Sequence, residues 1–281
     1  MNRILKDTPL CAIDFETTGL DKDNSDRAIE IALVRQEPDG SIHAWSSLLK
    51  TPKAISPKSQ KIHNITEEMI KSAPTFEEVY PQIDHFIQGS ILVAHHSPFD
   101  MNFLQKECLL AQKSVPDHIG VIDTLKMARN ILSLPRNSLS ALCNRIGIIP
   151  HHAHRAIYDA QNALFLLQTM LSSFGLHQLN LAELQEFCTL HRRPSGSKHK
   201  EVGISLQKAV RNKNDIVISY ISSAPNRPLI QRRHISPQKI RDHRIHGFCH
   251  LRQEKRSFQI ARIHAVEELP QTLQSPADSI S

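Results

Sequence analysis

Three apolar runs open the chain. Residues 9–17 are mostly apolar, residues 28–34 are similar, and residues 42–49 alternate around Trp45, so each predicts a strand. Between the second and third stands Glu37-Pro38-Asp39-Gly40, a hairpin turn signal. Thr66-Glu67-Glu68 begins a short helix, and Thr75 is placed to cap another. Residues 91–94, Ile-Leu-Val-Ala, are continuously apolar, as expected of a buried parallel strand. Phe99, Phe103, Leu104, Leu109 and Leu110 then fall at helical spacing. A strand is expected at 120–123 and helices at about 124–132, 138–146 and 155–172, the last with Ala160, Ala163, Leu164, Leu167, Met170 and Leu171 on one face. Three strands followed by alternating helix and strand predict an α/β fold, a mixed sheet flanked by helices on both sides.

The pattern then breaks. Residues 191–200 are polar, basic and interrupted by Pro and Gly, which reads as a linker. A helix is expected at 204–212, then strands at 216–221, 229–235, 244–251 and 257–263. Short strands closely spaced after one helix predict a small β-barrel or curled sheet, and the tail from residue 271 is expected to be disordered. The resulting division is 1–175, a first domain; 176–202, a helix and basic linker; 203–269, a β-rich domain; and 270–281, the tail.

Composition sharpens this picture in two ways. With 281 residues, 40% hydrophobic and 22% charged, and no run near the roughly 18 apolar residues a bilayer requires, the chain reads as a soluble protein without a membrane partner. Asp7 precedes any apolar stretch, unlike a secretory signal, and the five cysteines are scattered with no CxxC pair, so a reduced, cytoplasmic setting is expected. The net charge of +6 is uneven. Residues 195–281 hold 15 Lys/Arg against 7 Asp/Glu, and residues 1–194 hold 19 against 21. A basic module beside a slightly acidic one suggests a polyanion for the former, or else a solvated charged face.

Candidate chemistry sits at three places in the first part. In Cys11-Ala12-Ile13-Asp14-Phe15-Glu16-Thr17-Thr18-Gly19, a strand puts Asp14 and Glu16 on one face. Two neighbouring carboxylates on an apolar strand repel and lose hydration, and a divalent cation with oxygen preference relieves both costs. The plain alternative is a pair of acids at an exposed strand end. In His95-His96-Ser97-Pro98-Phe99-Asp100, the polar residues lie just beyond a strand's carboxyl end, where ligand groups gather in α/β sheets, although Asp100 could equally serve the helix macrodipole. In His154-Arg155-Ala156-Ile157-Tyr158-Asp159, a carboxylate among alanines faces something close-packed. A zinc cluster of His151, His152 and His154 lacks a suitably spaced fourth ligand.

Together, Asp-x-Glu-Thr-Thr-Gly, His-x-x-x-Phe-Asp and His-x4-Asp resemble the DEDDh exonuclease family, most of all its epsilon-type proofreading branch in bacterial DNA polymerase III. The resemblance runs from about Leu10 to Leu171 and includes Asp26-Arg27-Ala28-Ile29-Glu30-Ile31, His63-Asn64-Ile65-Thr66, Ile122-Asp123-Thr124-Leu125 and Arg136-Asn137-Ser138-Leu139-Ser140-Ala141-Leu142-Cys143. It implies a ribonuclease H-like fold in which Asp14, Glu16, Asp100 and Asp159 bind two Mg²⁺ ions, with Mn²⁺ able to substitute, and His154 is the general base. It also implies substrate contacts at Thr17 and Thr18, at His95 and His96, and a base-wedging role for Phe103. The family usually has Asn where this chain has His96, which bears on strand contact and not on the metal site.

Residues 203–269 resemble a WYL domain, a small Sm/SH3-like β-barrel, although Ile245-His246-Gly247-Phe248 stands near the place of its naming tripeptide. Arg232, Arg252, Arg256 and Arg262 are its candidate nucleic-acid contacts, since the guanidinium fork suits phosphate. The expected function is a 3′→5′ exonuclease acting on DNA 3′ ends in proofreading or repair, with a DNA polymerase catalytic subunit as a possible partner. RNA 3′ trimming is the second enzyme reading. A ligand- or nucleic-acid-sensing regulatory protein is the reading from another class, and retention of all four acids and the histidine argues against it.

Overall fold

The computed structural model describes residues 3–20, 25–132, 134, 136–148, 154–190, 197–221 and 230–269. The first sheet contains β1 (Leu10–Thr17), β2 (Ala28–Gln36), β3 (Ile42–Leu48), β4 (Ile91–Ala94) and β5 (Gly120–Asp123), in the order β3-β2-β1-β4-β5. The pairs β1–β2 and β2–β3 are antiparallel, and β1–β4 and β4–β5 are parallel. The hairpin turn at Glu37–Gly40 closes with a Gly40 N–H to Glu37 carbonyl bond of 2.9 Å, and Gly40 takes φ +88°, which favours glycine.

Eight helices accompany this sheet among the described residues: α1 (Pro57–His63), α2 (Glu67–Ile70), α3 (Phe76–Ile87), α4 (Ser97–Leu110), α5 (Thr124–Ile131), α6 (Leu139–Ile146), α7 (Ala156–Phe174) and α8 (Leu181–Leu190). Thr75 and Glu78 form a reciprocal capping box on α3, satisfying two N–H groups that the helix leaves open. Helix α1 was not anticipated; its start is set locally by Ser56, whose hydroxyl accepts the Ser59 N–H, and by Pro57 in the first turn.

Strand alternation splits the core into two layers. Cys11, Ile13 and Phe15 of β1 pack with Phe76, Val79 and Ile83 of α3 and with Phe103 and Leu104 of α4. Leu10 and Ala12 face the opposite way, against Ala156, Ala160, Leu164 and Leu167 of α7 and Met127 and Ile131 of α5. Asp14 and Glu16 share the parity of Ala12, so the strand carries them to the α7 side.

Helix α9 (Ser197–Asn212) leads into a second sheet of β6 (Ile216–Ile221), β7 (Ile230–Arg241), β8 (Arg244–Cys249), β9 (Glu254–Gln259) and β10 (Ile263–Glu268), ordered β10-β6-β7-β8-β9 with antiparallel neighbours. Its core contains Leu206 and Ala209 of α9 with Ile216, Ile218, Ile235, Ile245, Phe258 and Ile263. The sheet is open, with β9 and β10 at its two edges, so the expected closed barrel is not what the described residues form. The expected strand at 257–263 is divided between β9, a 3₁₀ turn and β10. Strand β7 outruns its expected end at residue 235 because Pro237 lies past Ile235, where pairing with β6 stops and no N–H is required on that side. Opposite it, Gly247 is obligatory, since a Cβ there would lie 2.4 Å from the Ser236 carbonyl oxygen. Of the expected linker, residues 191–196 lie outside the described residues, and residues 197–200 already belong to α9; the tail from 270 is likewise outside them. The two units touch: Ile221 is buried in the core that α7 shares, and the His264 ring meets Phe174 edge-on at 4.8 Å.

Candidate active site

The site forms where β1 outlasts its parallel neighbour. Pairing of β1 with β4 covers only Leu10 to Ala12, so beyond Ala12 the strand has a free edge towards α4. Asp100, in the first turn of α4 and 3% exposed, fills that gap, and its Oδ1 accepts the Phe15 N–H at 3.2 Å. From the other side comes Asp159 on α7. Buried Ala156, Ala160 and Ala163 let this helix approach the sheet closely, which is the close-packed surrounding expected for Asp159. One carboxylate oxygen from each of Asp14, Glu16 and Asp159 lies within 4.8 Å of the others.

The electrostatics match this crowding. Burial, then the charges of Asp100, Asp159 and Glu16, hold the Asp14 carboxyl well above the usual range. Burial followed by Asp159 and Glu30 pushes Glu16 up to about 8. Burial likewise raises Asp100 to about 8, against the opposing effect of the Phe15 N–H. Asp159 is raised by burial, in part offset by the His154 N–H that its carboxylate accepts at 3.2 Å. Such a group, made of oxygen donors alone and lacking positive charge at its centre, fits a hard divalent cation.

His154 is exposed at the rim of the site, at φ +69°, directly before α7. The neighbouring histidines His151 and His152 lie outside the described residues. Thr17 and Thr18 are buried and turned inward: the Thr17 hydroxyl donates to the Gly19 carbonyl at 2.6 Å, and that of Thr18 donates to Asp26 at 2.8 Å. Gly19 is needed for that contact, because a Cβ would stand 2.2 Å from the Asp26 carboxylate. His95 has both ring nitrogens occupied, by Thr124 Oγ1 at 2.9 Å and by the Asn137 carbonyl at 3.0 Å. Burial pushes its imidazole down, and because a carbonyl can only accept, the contact to Asn137 calls for a proton on Nε2. His96 is exposed and left-handed, at φ 84° and ψ 56°, a conformation that Asn and His tolerate better than most residues. Phe103 is fully buried between Phe15 and Phe99, so the base-wedging role is corrected: it has no face left for a base.

Three residues that sequence reasoning left without a role hold the site together. Glu30 on β2, 1% exposed, receives Arg155 through Nε at 3.1 Å and through a terminal nitrogen at 2.6 Å, and accepts the Ala156 N–H at 3.0 Å. It therefore caps α7 from a distant strand and fixes the helix that carries Asp159. Glu107, also 1% exposed, takes Arg27 in a two-pronged pair at 2.9 and 2.7 Å and accepts the Ala28 N–H. Asp123 caps α5 and accepts the His96 and Ser97 N–H groups, which anchors the turn leading to Asp100. The signal for the first was present, since Glu30 is the one charge in the otherwise apolar run at residues 28–34.

The candidate arginines of the second unit come from separate segments. Arg232 is ion-paired with Glu267 at 2.5 Å and Arg256 with Glu254 at 3.2 Å. Arg252 is exposed in the β8–β9 turn, and Arg262 lies in the 3₁₀ turn with a buried Nε.

Comparison with known proteins agrees with this site. The DNA polymerase III subunit epsilon of Treponema pallidum is 38% identical over 164 residues, 57% of this chain and 75% of that protein. A DNA polymerase III PolC-type from Thermotoga maritima is 33% identical over 183 residues, 63% of this chain but 13% of that much longer one. Among solved structures, E. coli Exonuclease I in complex with a dT13 oligonucleotide superposes with a TM-score of 0.54 at 16% identity, covering 86% of this chain and 55% of that one. That likeness is one of fold, and its extent reaches past α8 into the second unit. The family model described as Exonuclease (RNase_T) matches residues 11–167, the stretch that contains all four acids and His154, and the chain therefore belongs to this exonuclease family.

Proposed function

We propose that the chain hydrolyses DNA from its 3′ end, releasing nucleoside 5′-monophosphates, in replication proofreading or in repair. The observation that carries this reading is the convergence of Asp14, Glu16 and Asp159 at the open end of β1, with Asp100 against the strand's free edge. Identity to an epsilon subunit, at 38%, supports DNA over RNA as the substrate.

Asp14, Glu16 and Asp159 would hold the metal on the attacking side, with Asp14 and Asp100 supporting a second. The natural choice is Mg²⁺, with Mn²⁺ as a substitute. A pair of such ions supplies stabilisation of the attacking and leaving oxygens of an in-line displacement. The protein's own residues do the rest. His154, exposed at the mouth, takes the proton of the attacking water. The water oxygen bonds to the terminal phosphorus, the bond from phosphorus to the preceding 3′ oxygen breaks, and that oxygen is protonated from solvent. Glu30 and Arg155 keep Asp159 and His154 in register throughout.

For the domain arrangement, we place the nuclease at 1–175, the connection at 176–202 and the β-rich module at 203–269, with 270–281 as a tail. One helix followed by short strands supports a WYL-like module, although the sheet is open. Its Arg232, Arg252, Arg256 and Arg262 would add sequence-independent grip on phosphates. A DNA polymerase catalytic subunit is the proposed protein partner, by analogy with the relatives. Among the described residues, no helix is long and apolar enough to cross a membrane.

The test is a 5′-labelled single-stranded DNA oligonucleotide incubated with the protein and Mg²⁺, with matching RNA and an Asp14→Ala variant in parallel. A ladder shortening from the 3′ end of DNA, absent in the variant, is the expected result. Faster decay of the RNA would keep the mechanism and overturn the substrate. Inertness towards both would overturn the enzyme reading.

A further inference from the structure

We infer that Asp215, His234 and His250 form a second cation site, suited to a zinc-type transition metal, on the outer face of the second sheet. The three residues come from three neighbouring strands. Asp215 stands immediately before β6, His234 lies in β7 opposite Val217, and His250 directly follows β8. The His250 N–H donates to the His234 carbonyl at 3.0 Å, so the ladder continues one residue past the strand. Alternation sets the direction: Ile235 and Cys249 are fully buried in the core, so their neighbours His234 and His250 face away from it.

The geometry is that of a ligand set. Nε2 of His234 lies 3.0 Å and Nε2 of His250 3.3 Å from the same Asp215 Oδ2. Tetrahedral bonds of about 2.0–2.1 Å place neighbouring ligand atoms roughly 3.3 Å apart, which the two nitrogen–oxygen spacings match, and all three ligand atoms lie within 4.8 Å of one another. The imidazole rings are stacked, with centroids 3.8 Å apart and planes 13° from parallel, and Phe248 braces His250 edge-on at 5.4 Å. In near-parallel rings the two lone pairs do not converge, so an ion would be bound with the rings splayed from this stacked arrangement.

Without an ion the cluster is held by two hydrogen-bond contacts, His234 Nε2 to Asp215 Oδ2 at 3.0 Å and His250 Nε2 to Ser236 Oγ at 2.7 Å. Nε2 of His250 is also 3.3 Å from Asp215 Oδ2, so it stands between the Ser236 hydroxyl and the carboxylate, within reach of an ion held by either imidazole. Two imidazoles and one carboxylate select Zn²⁺ over Mg²⁺, and three protein ligands leave a fourth position open beside Ser236. The side chains are 29–39% exposed, so an ion can enter. A bound ion would tie three strands of an open sheet together.

The site is tested on the full chain, stripped with chelator and dialysed against Zn²⁺ in a large excess of Mg²⁺, which favours the oxygen-only carboxylates. Bound zinc is counted by atomic spectroscopy, and thermal melts are recorded with and without it. The expected result is about one zinc per chain that is retained in Asp14→Ala but lost in His234→Gln and His250→Gln, with affinity reduced at least about tenfold. Mg²⁺-supported DNA trimming stays unchanged in both histidine variants. Zinc should raise the melting temperature of the parent chain and not of the variants. Asp215→Asn, which removes charge and keeps shape, repeats the count if a histidine variant fails to fold. No zinc uptake by the parent chain, equal uptake by all variants, or loss only in Asp14→Ala would overturn the site and leave a hydrogen-bonded histidine pair.

Discussion

The clamp between Glu30 and Arg155 offers the sharpest test of how this active site is held. Glu30→Gln keeps the side chain's size but replaces one carboxylate oxygen with an NH₂ group. Its two oxygens now serve Arg155 Nε and a terminal nitrogen at 2.6–3.1 Å and the Ala156 N–H at 3.0 Å, so the new NH₂ must face a donor. Breaking one partner of a fully buried pair costs about 3–5 kcal/mol. The Arg155 side chain is 39% exposed, so solvent screens its unmatched charge and about 2–3 kcal/mol is expected here. At roughly 2–4 °C per kcal/mol for a chain of this size, the melting temperature should fall by about 5–10 °C. The loss should also appear in function, as a higher Mg²⁺ concentration for half-maximal activity, because Asp159 sits one turn from the released helix start. Adding Arg155→Gln to this variant removes the stranded charge and should recover part of the stability. A melting shift below about 2 °C, with an unmoved Mg²⁺ midpoint, would refute the clamp as the device that positions Asp159.

Other outcomes follow from the same site. Glu16 rises from 4.5 to about 8 in the metal-free protein, so the folded state holds its proton more tightly than the unfolded chain. That contribution is complete below about 4.5 and is lost as pH rises through 8; the stability gained on adding Mg²⁺ should therefore widen from acid to alkaline pH in parallel melts, and a constant gap would contradict it. Asp14→Asn should lower DNA trimming by more than about 100-fold yet raise the metal-free melting temperature, since it removes one of the crowded, buried carboxyl groups. His154→Gln should lower kcat by about 10²–10⁴-fold with the Mg²⁺ midpoint in place, and a matching loss of metal affinity would instead make it a ligand. His96→Val should cost about 1–2 kcal/mol in denaturant melts, because a β-branched residue is strained at this left-handed position, whereas His96→Asn should be neutral.

Much of the molecule is written into local sequence. The mostly apolar run at residues 9–17 predicts β1, whose period of two puts Asp14 and Glu16 on one face, and Thr75 predicts the start of α3 through its cap. These features depend on neighbours in the chain, so periodicity and turn chemistry reveal them. The motif residues also announce the family, because their order and spacing survive in one dimension. The tertiary structure decided what lies between distant segments. Pairing of β1 with β4 only as far as Ala12 creates the open edge that Asp100 fills, and no local pattern encodes where a partner strand stops. Glu30 meets Arg155 across 125 residues, and Asp215 meets His234 and His250 only after three strands align. The open second sheet has the same origin, since closure depends on whether the edges β9 and β10 meet and not on the residues within either. Short-range hydrogen bonding and burial periodicity are properties of sequence, whereas the convergence of charged side chains is fixed by long-range packing.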